Sequence, residues 1–281
     1  MKSLMSAGPG SLLIASLTAV VLLPLTAQAH GATADQLEQV SHALEHDPAD
    51  AQLYVRRATL RQTQRDWAGA IEDLDRAARL APQLAVVDLA RGRLLLDAGR
   101  PAEARRALDR YVQRAGDDPQ GWLERARATV RLGEPLAAAR DYRAAMERLG
   151  EPGPDLVLEH ADALLAAGDA HRVQALQVVE SGIARQGPLL TLQLRAADIE
   201  LSLGRYDAAL RRFEQLAARS PRQERWQLRR GDVLRSAGRP REARAAYLAA
   251  MASIESLPPH LLQVPATRDL KRQVRDRLAT L

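Results

Sequence analysis

Apolar and charged positions along most of the chain follow the spacing of amphipathic helices, and small residues divide these helices into units of constant length. One alanine recurs every 34 residues, with a single step of 37 between the third and fourth units, at Ala70, Ala104, Ala138, Ala175, Ala209 and Ala243. Self-similarity with this period is the signature of an array of supersecondary units that stack on one another. The pattern therefore predicts a repeat protein.

A second small residue precedes this alanine by twelve positions in five units, at Ala58, Gly92, Ala126, Ala197 and Gly231. Ala161 has this role in the fourth unit, where extra residues fall between Gly168 and Gln174. Two helices approach most closely where their facing side chains are short. Each unit is therefore expected to be a closely packed pair of helices, and either Val173 or Ala175 fills the alanine position of the fourth pair.

Glycine and proline mark where these helices begin and end. A glycine tolerates the left-handed conformation that commonly follows a helix, and such glycines end the predicted first helices at Gly99, Gly133, Gly168, Gly204 and Gly238. Proline is favoured in the first turn of a helix, and it opens the predicted second helices at Pro101, Pro135 and Pro240.

The first unit shows the full pattern in Tyr54, Ala58, Asp66-Trp67, Ala70, Leu74, Ala77 and Pro82. This pattern resembles the tetratricopeptide repeat. The resemblance implies an all-α solenoid of about six helix-turn-helix repeats over residues 51–256. The expected repeats are 51–84, 85–118, 119–153, 154–189, 190–223 and 224–256.

Both ends of the array are expected to carry a capping helix, because a stack of repeats must cover its last apolar faces. The N-terminal cap is predicted within residues 30–50, as a helix from Asp35 to His46. The C-terminal cap is predicted within 257–281. There an apolar residue recurs at helical spacing between Arg268 and the last residue, at Leu270, Val274, Leu278 and Leu281.

Residues 1–29 have the layout of a secretory signal peptide. Lys2 precedes an apolar run from Leu12 to Leu25, and Ala27-Gln28-Ala29 supplies the small residues of a cleavage site. A transmembrane helix is the alternative, but Pro24 interrupts the run and a bilayer crossing needs about 20 apolar residues. Cleavage after Ala29 predicts a periplasmic or secreted protein that begins at His30 and has no transmembrane segment.

Composition excludes several classes of protein. The chain has no cysteine, so it forms no disulfide and no cysteine-ligated metal site, and its 3% aromatic content disfavours a large β domain. It contains neither a G-x-S-x-G nor an H-E-x-x-H motif, and its glycines lie at helix ends instead of in a phosphate-binding cluster. We therefore expect a protein without enzymatic activity and without a cofactor.

Three early histidines form the one pattern that suggests a metal site, at His30, His42 and His46. His42 and His46 are four residues apart and share one helix face, as metal-binding histidines do. No third ligand is fixed by spacing, so a pair of exposed histidines is the favoured interpretation and metal handling is the weakest functional hypothesis.

Charge is distributed unevenly along the chain. Residues 30–50 contain five carboxylates and no arginine or lysine, whereas residues 211–244 contain eleven arginines and four carboxylates. The basic stretch could attract an acidic peptide, an anionic lipid surface or an anionic glycan, or its arginines could pair locally on a solvated helix face. Nucleic acid is disfavoured by the export signal and because no aromatic residues alternate with these arginines.

In tetratricopeptide domains, partners commonly bind in the concave groove that the first helices line. By this resemblance the groove would be lined at Gln52, Val55, Arg56, Thr59, Leu89, Arg93, Leu123, Glu124, Arg127, Leu158, Glu159, Asp162, Leu194, Arg195, Asp198, Leu228, Arg229, Asp232 and Arg235. The apolar residues would supply contact area, and the charges would select the partner. The leading hypothesis is an exported scaffold that binds a protein or peptide. An accessory protein for an anionic polysaccharide, acting through the basic sixth repeat, is the alternative.

Overall fold

The computed structural model describes the backbone of residues 25–281 and the side chains from residue 33 onward. Residues 1–24, which carry most of the predicted signal peptide, lie outside the described residues. The described part is helical and contains no strand. Its helices are α1 (Leu25–His46), α2 (Ala51–Thr63), α3 (Trp67–Leu80), α4 (Val86–Asp97), α5 (Pro101–Arg114), α6 (Pro119–Arg131), α7 (Pro135–Leu149), α8 (Pro154–Ala166), α9 (Arg172–Gln186), α10 (Leu190–Ser202), α11 (Tyr206–Ala218), α12 (Glu224–Ser236), α13 (Pro240–Glu255), α14 (Pro259–Leu262) and α15 (Pro265–Ala279).

Helices α2 to α13 form six consecutive antiparallel pairs, and each pair packs on the next. The first helices of neighbouring pairs also contact one another, as α2 with α4, α4 with α6 and α8 with α10. Among the described helices, the second helices of neighbouring pairs make no comparable contact. The first helices therefore form the inner row of the solenoid, and the second helices form its outer row. The expectation of an all-α solenoid is confirmed.

The recurring small residues lie where the two helices of a pair meet. Ala58, Ala126, Ala161 and Ala197 are buried. A Cβ atom built on Gly92 would lie 2.5 Å from Cγ of Leu108 on the second helix of the same pair. No larger side chain fits at such a distance, so the predicted packing role of these positions is confirmed.

The turns between paired helices use the backbone conformation that the glycines predicted. Gly99, Gly133, Gly204 and Gly238 all have φ between 70° and 73°. The first pair has Arg65 at the same position, 34 residues before Gly99, and Arg65 adopts a φ of 61°. Among the described residues Arg65 is the one non-glycine residue with positive φ.

The fourth pair departs from the others at its turn. After Gly168, a short 3₁₀ turn over Asp169–His171 precedes α9, and this turn accommodates the extra residues of the unit. Ala175 is fully buried, whereas Val173 is 44% exposed. Ala175 therefore fills the recurring alanine position that the sequence left open between these two residues.

The terminal helices differ from the predicted ones in their limits. Helix α1 begins at Leu25, before the predicted start at Asp35, and so includes the predicted cleavage point; it packs on α2 and buries Val40 and Leu44. Helix α15 packs on α13 and buries Val274. Leu281 was predicted to belong to the apolar stripe of this helix. It follows the helix end at Ala279 and is 38% exposed, so this assignment was wrong.

Over residues 25–281, no helix combines the length and the hydropathy that a bilayer crossing requires.

Candidate functional site

The residues predicted to line a groove lie on the six first helices, which form the inner row of the solenoid. Apart from Arg235, their charged members lie at two fixed positions relative to the small residue of each unit. One position follows the small residue directly, at Thr59, Arg93, Arg127, Asp162, Asp198 and Asp232. The other precedes the small residue by two, at Arg56, Ala90, Glu124, Glu159, Arg195 and Arg229.

Residues at these two positions form ion pairs between consecutive first helices. Nε of Arg93 on α4 lies 2.9 Å from Oε1 of Glu124 on α6, and Arg93 also donates to the Gln120 side chain. Arg127 on α6 pairs with Glu159 on α8 at 2.9 Å, and this hydrogen bond raises the pKa of Arg127. We call this series of pairs along the inner row the charge ladder.

The sign of the charges along the ladder reverses at the fourth unit. The residue after the small position is arginine in the second and third units and aspartate from the fourth unit onward, while the facing residue changes from glutamate to arginine. Accordingly, Asp162 on α8 accepts a hydrogen bond from Arg195 on α10. Complementarity between neighbours is therefore retained through the reversal.

The C-terminal helix supplies the last pair of the ladder. Nε of Arg277 on α15 lies 2.8 Å from Oδ1 of Asp232 on α12, so α15 stands where the first helix of a seventh unit would stand. The Tyr247 hydroxyl donates to the same carboxylate oxygen at 2.9 Å. Burial of the hydroxyl, and to a smaller extent this hydrogen bond, raise the pKa of Tyr247 to about 12. Arg277 was not anticipated because it lies outside the repeats, although the ladder's alternation of charge signals a cation there.

At one place along the ladder, two residues of opposite charge do not pair with each other. Asp198 on α10 and Arg229 on α12 occupy the two ladder positions of the fifth and sixth units. Both side chains are exposed, and within the described residues neither forms an ion pair or a side-chain hydrogen bond. We call this pair of residues the open position. Leu194, one helical turn before Asp198, is half-buried beside it.

The structure changes the roles of several predicted groove residues. The charges that were expected to select a partner are largely paired with each other, and Glu124 is buried within its pair. Leu89 and Leu228 were predicted to supply contact area. Each is only 6% exposed and packs inside the solenoid, so this part of the prediction was wrong. Val55, Leu123, Leu158 and Leu194 remain half-buried at the inner row.

The early histidines lie on the outer surface of α1. His42 and His46 are exposed, and their rings meet edge to face with centroids 4.6 Å apart. The side chain of His30 lies outside the described residues. Among the described residues, no group of three or more potential metal ligands comes together.

The basic stretch pairs locally only in part. Of its eleven arginines, five form ion pairs, as Arg212, Arg222, Arg230, Arg235 and Arg239. The other six are exposed and form no ion pair among the described residues, at Arg211, Arg219, Arg225, Arg229, Arg241 and Arg244. The interpretation of a locally paired helix face therefore accounts for less than half of the stretch.

Comparisons with known proteins agree with this architecture. The sequence matches the tetratricopeptide repeat-like domain over residues 153–267 and the tetratricopeptide repeat over residues 85–128. The chain is thus an all-α solenoid that contains tetratricopeptide repeats. A search of curated proteins gives no match to the chain.

Solved structures share the fold at low sequence identity. A tetratricopeptide repeat protein from Parabacteroides merdae is 14% identical, with a TM-score of 0.52 over 88% of this chain and 94% of its own. PilF of Pseudomonas aeruginosa is 21% identical, with a TM-score of 0.55 over 70% and 88% of the two chains. PilW, described as a type IV pilus biogenesis factor, is 19% identical, with a TM-score of 0.55 over 69% and 89%.

Proposed function

We propose that the chain is an exported, non-enzymatic scaffold that binds a protein or peptide partner along the inner row of its solenoid. The open position carries this proposal. Asp198 and Arg229 have opposite charges, but both are exposed and unpaired. The other oppositely charged residues at the ladder positions form ion pairs with each other.

A partner segment at the open position would contact three kinds of group. A basic side chain would pair with Asp198, an acidic side chain would pair with Arg229, and an apolar residue between them would pack on Leu194. Charged groups at the rim of an interface chiefly determine selectivity and the rate of association, while apolar contacts supply most of the affinity. The partner sequence expected here is therefore short, extended and of mixed charge around an apolar residue.

Charge reversal at the open position tests the proposal without removing an internal ion pair. We expect Asp198→Arg combined with Arg229→Glu to weaken capture of the native partner at least tenfold, as judged by quantitative mass spectrometry after affinity capture from the native envelope. Arg211→Glu is the matched control, because Arg211 is exposed and unpaired on a second helix. Equal recovery with the double variant and the control would rule out the open position as the binding site.

Export is proposed from the signal-peptide pattern of residues 1–29. Expression of the full chain in a bacterial host followed by mass spectrometry of the periplasmic fraction tests it. The expected product begins at His30. A product that retains residues 1–29 in the cytoplasmic or membrane fraction would contradict export by this route.

An accessory role for an anionic polysaccharide is the second candidate, and the six unpaired arginines between residues 211 and 244 favour it. Binding that depends on such charges weakens steeply with salt, because screening shortens their range. Retention on an alginate column should then fall between about 0.05 and 0.5 M salt and should be reduced by Arg241→Gln with Arg244→Gln. Retention unaffected by both would exclude this candidate.

A further inference from the structure

Arginines and aspartates also form pairs away from the inner row, between a first helix and the second helix of the preceding unit. Nη2 of Arg91 on α4 lies 2.7 Å from Oδ1 of Asp75 on α3. Nη1 of Arg125 on α6 lies 3.1 Å from Oδ1 of Asp109 on α5, in the equivalent position one unit later. Each pair links a first helix to the second helix that precedes it.

The next unit has different residues at both of these positions. The position of Asp75 and Asp109 is occupied one repeat later by Arg143 on α7. Arg91 and Arg125 each directly precede the small residue of their unit, and His160 on α8 directly precedes Ala161, the small residue of the fourth unit. The carboxylate is thus replaced by a cation, and the cation is replaced by an imidazole. Within the described residues, Arg143 forms no ion pair.

A pocket of about 410 Å³ opens at this junction, between α7 and α9 on the outer row, with α8 beneath it. Two exposed arginines, Arg143 and Arg185, lie at its edge, and Met146, Val178 and His160 contribute apolar surface. Arg185 also has no ion-pair partner in the described part of the chain. Glu147, one turn after Arg143 on α7, also lines the pocket as an exposed carboxylate without an ion-pair partner in the described part of the chain, so the lining carries two cations and one carboxylate.

His160 provides an independent sign that the pocket accepts a ligand. Its side chain is 97% buried, since only 3% of the residue is exposed. Nδ1 contacts Sδ of Met146 at 3.3 Å, and Nε2 is buried with no hydrogen-bond partner in the structure. Whichever ring nitrogen carries the proton, Nε2 is a buried polar atom whose hydrogen-bonding capacity is unused, and such atoms are uncommon in folded proteins.

We propose that the pocket between α7 and α9 binds a carboxylate attached to an apolar body. The carboxylate would pair with Arg143 and Arg185 and so replace the aspartate that the preceding units supply from their own chain. The apolar body would contact Met146 and Val178, and a thioether is well suited to contact with an aromatic ring.

This site lies on the outer row, opposite the open position at the inner row. It goes beyond the proposed scaffold function, and the two are tested separately, because Asp198→Arg with Arg229→Glu alters no residue of the pocket. Failure of one proposal therefore leaves the other in place.

Nuclear magnetic resonance titration of the processed chain with 3-phenylpropionate tests the proposal. We expect saturable shifts of the His160 ring resonances and at least tenfold weaker binding of 3-phenylpropanamide, which keeps the apolar body and lacks the charge. Arg143→Gln with Arg185→Gln should weaken binding of the acid at least tenfold. Equal binding of acid and amide, or no binding of either, would overturn the proposal.

Two further variants separate loss of the site from loss of the fold. Ser181→Trp fills the pocket from an exposed position on α9 and should abolish binding while both arginines remain. Arg140→Gln removes an exposed, unpaired arginine from α7 outside the pocket, and its affinity should stay within twofold of the parent. A loss as large for Arg140→Gln as for the pocket variants would contradict a specific site.

A carboxylate of this kind can come from a small acid or from an acidic side chain of a protein. A second titration with a blocked peptide that contains adjacent glutamate and phenylalanine distinguishes these sources. Tighter binding of the peptide than of 3-phenylpropionate assigns the pocket to a protein segment, whereas binding of the acid alone assigns it to a small molecule. Both results require dependence on Arg143 and Arg185.

Discussion

Arg65 adopts a backbone conformation that glycine adopts at the equivalent turn of the other helix pairs. Its φ of 61° lies in the left-handed region, which costs a residue with a Cβ atom about 1 kcal/mol. The side chain is exposed and forms no hydrogen bond or ion pair in the described structure, so its removal loses no contact. We therefore expect Arg65→Gly to raise the free energy of unfolding by about 0.5–1 kcal/mol in urea denaturation.

The reciprocal change provides the control for Arg65. Gly99 has a φ of 73°, and a Cβ atom there would meet no atom within 4 Å, so Gly99→Ala introduces only the backbone cost. It should lower the free energy of unfolding by about 1 kcal/mol. A decrease in stability for Arg65→Gly would show that the side chain of Arg65 contributes a contact.

His160 should make stability depend on pH. Burial, with a smaller contribution from the charge of Arg143, lowers the pKa of His160 to about 4 from its ordinary value near 6.5. The tilted ring of Tyr142 also faces it, at a centroid distance of 6.5 Å. As the pH falls, the unfolded chain therefore takes up a proton at a higher pH than the folded chain does. The contribution of neutral His160 to the free energy of unfolding is fully present above pH 6.5 and is lost as the pH falls toward 4.

The expected loss between pH 7.5 and pH 5 is about 2 kcal/mol, obtained from the size of the pKa change. Urea denaturation at the two pH values measures it, and comparison with His160→Leu removes the contribution of all other groups. The variant should lose about 2 kcal/mol less than the parent over this interval. Equal losses in the two proteins would mean that His160 remains accessible to protons in the folded state.

At the scale of helices, the charge ladder connects first helices that the repeat pattern already places side by side. Arg127 and Glu159 are 43% and 32% exposed, and exposed ion pairs contribute little because solvent screens them. A double-mutant cycle with alanine at both positions should give a coupling free energy of about 0.5 kcal/mol in urea denaturation.

The open position is the matched control for this cycle. Alanine substitutions at Asp198 and Arg229 should show no coupling in the free protein, because the two side chains do not pair. A coupling energy as large as that of Arg127 and Glu159 would show that the pair forms in solution and that the position is closed.

Helix α15 covers the last apolar face of the array. Val274 and Ile254 are fully buried where α15 packs on α13, and Leu270 and Leu278 add to the same cluster. Removal of residues 265–281 exposes this surface, and the burial of Val274 alone contributes about 1.5–3 kcal/mol. We expect a lower melting temperature by calorimetry and increased binding of an apolar dye.

A shorter deletion separates the helix from the residues that follow it. Removal of Thr280 and Leu281, which are exposed beyond the helix end, should leave the melting temperature unchanged. An unchanged melting temperature after loss of the whole of α15 would contradict its capping role.

Local residue chemistry explains which helix limits the sequence predicts. Pro101, Pro135 and Pro240 open α5, α7 and α13 as predicted, because proline preorganises the first turn and lacks the donor that would be unpaired there. The limits of α9 could not be predicted from the repeat, since the extra residues after Gly168 shift its register. Side-chain pairing was harder to predict from the sequence. The sequence places Arg127 and Glu159 at complementary positions, but it does not show that the two side chains meet.

At the scale of the whole molecule, four buried clusters follow one another along the array. They include Leu74, Leu108, Val157 and Tyr247 in that order. Helix α10 joins the last two clusters, because Ile199 belongs to one and Ala197 to the other. Asp198, one of the two residues of the open position, lies on this same helix. The groove proposal therefore concerns the junction between the two largest clusters.

Site-specific photo-crosslinking tests the central claim most directly. A benzophenone amino acid is placed at Leu194 beside the open position, and at Arg211 on the outer row in a parallel protein. Both proteins are irradiated in the native envelope, and crosslinked products are identified by mass spectrometry. The scaffold account predicts one specific protein crosslinked from residue 194 and not from residue 211. Crosslinking of the same protein from residue 211 alone, or of none from residue 194, would contradict it.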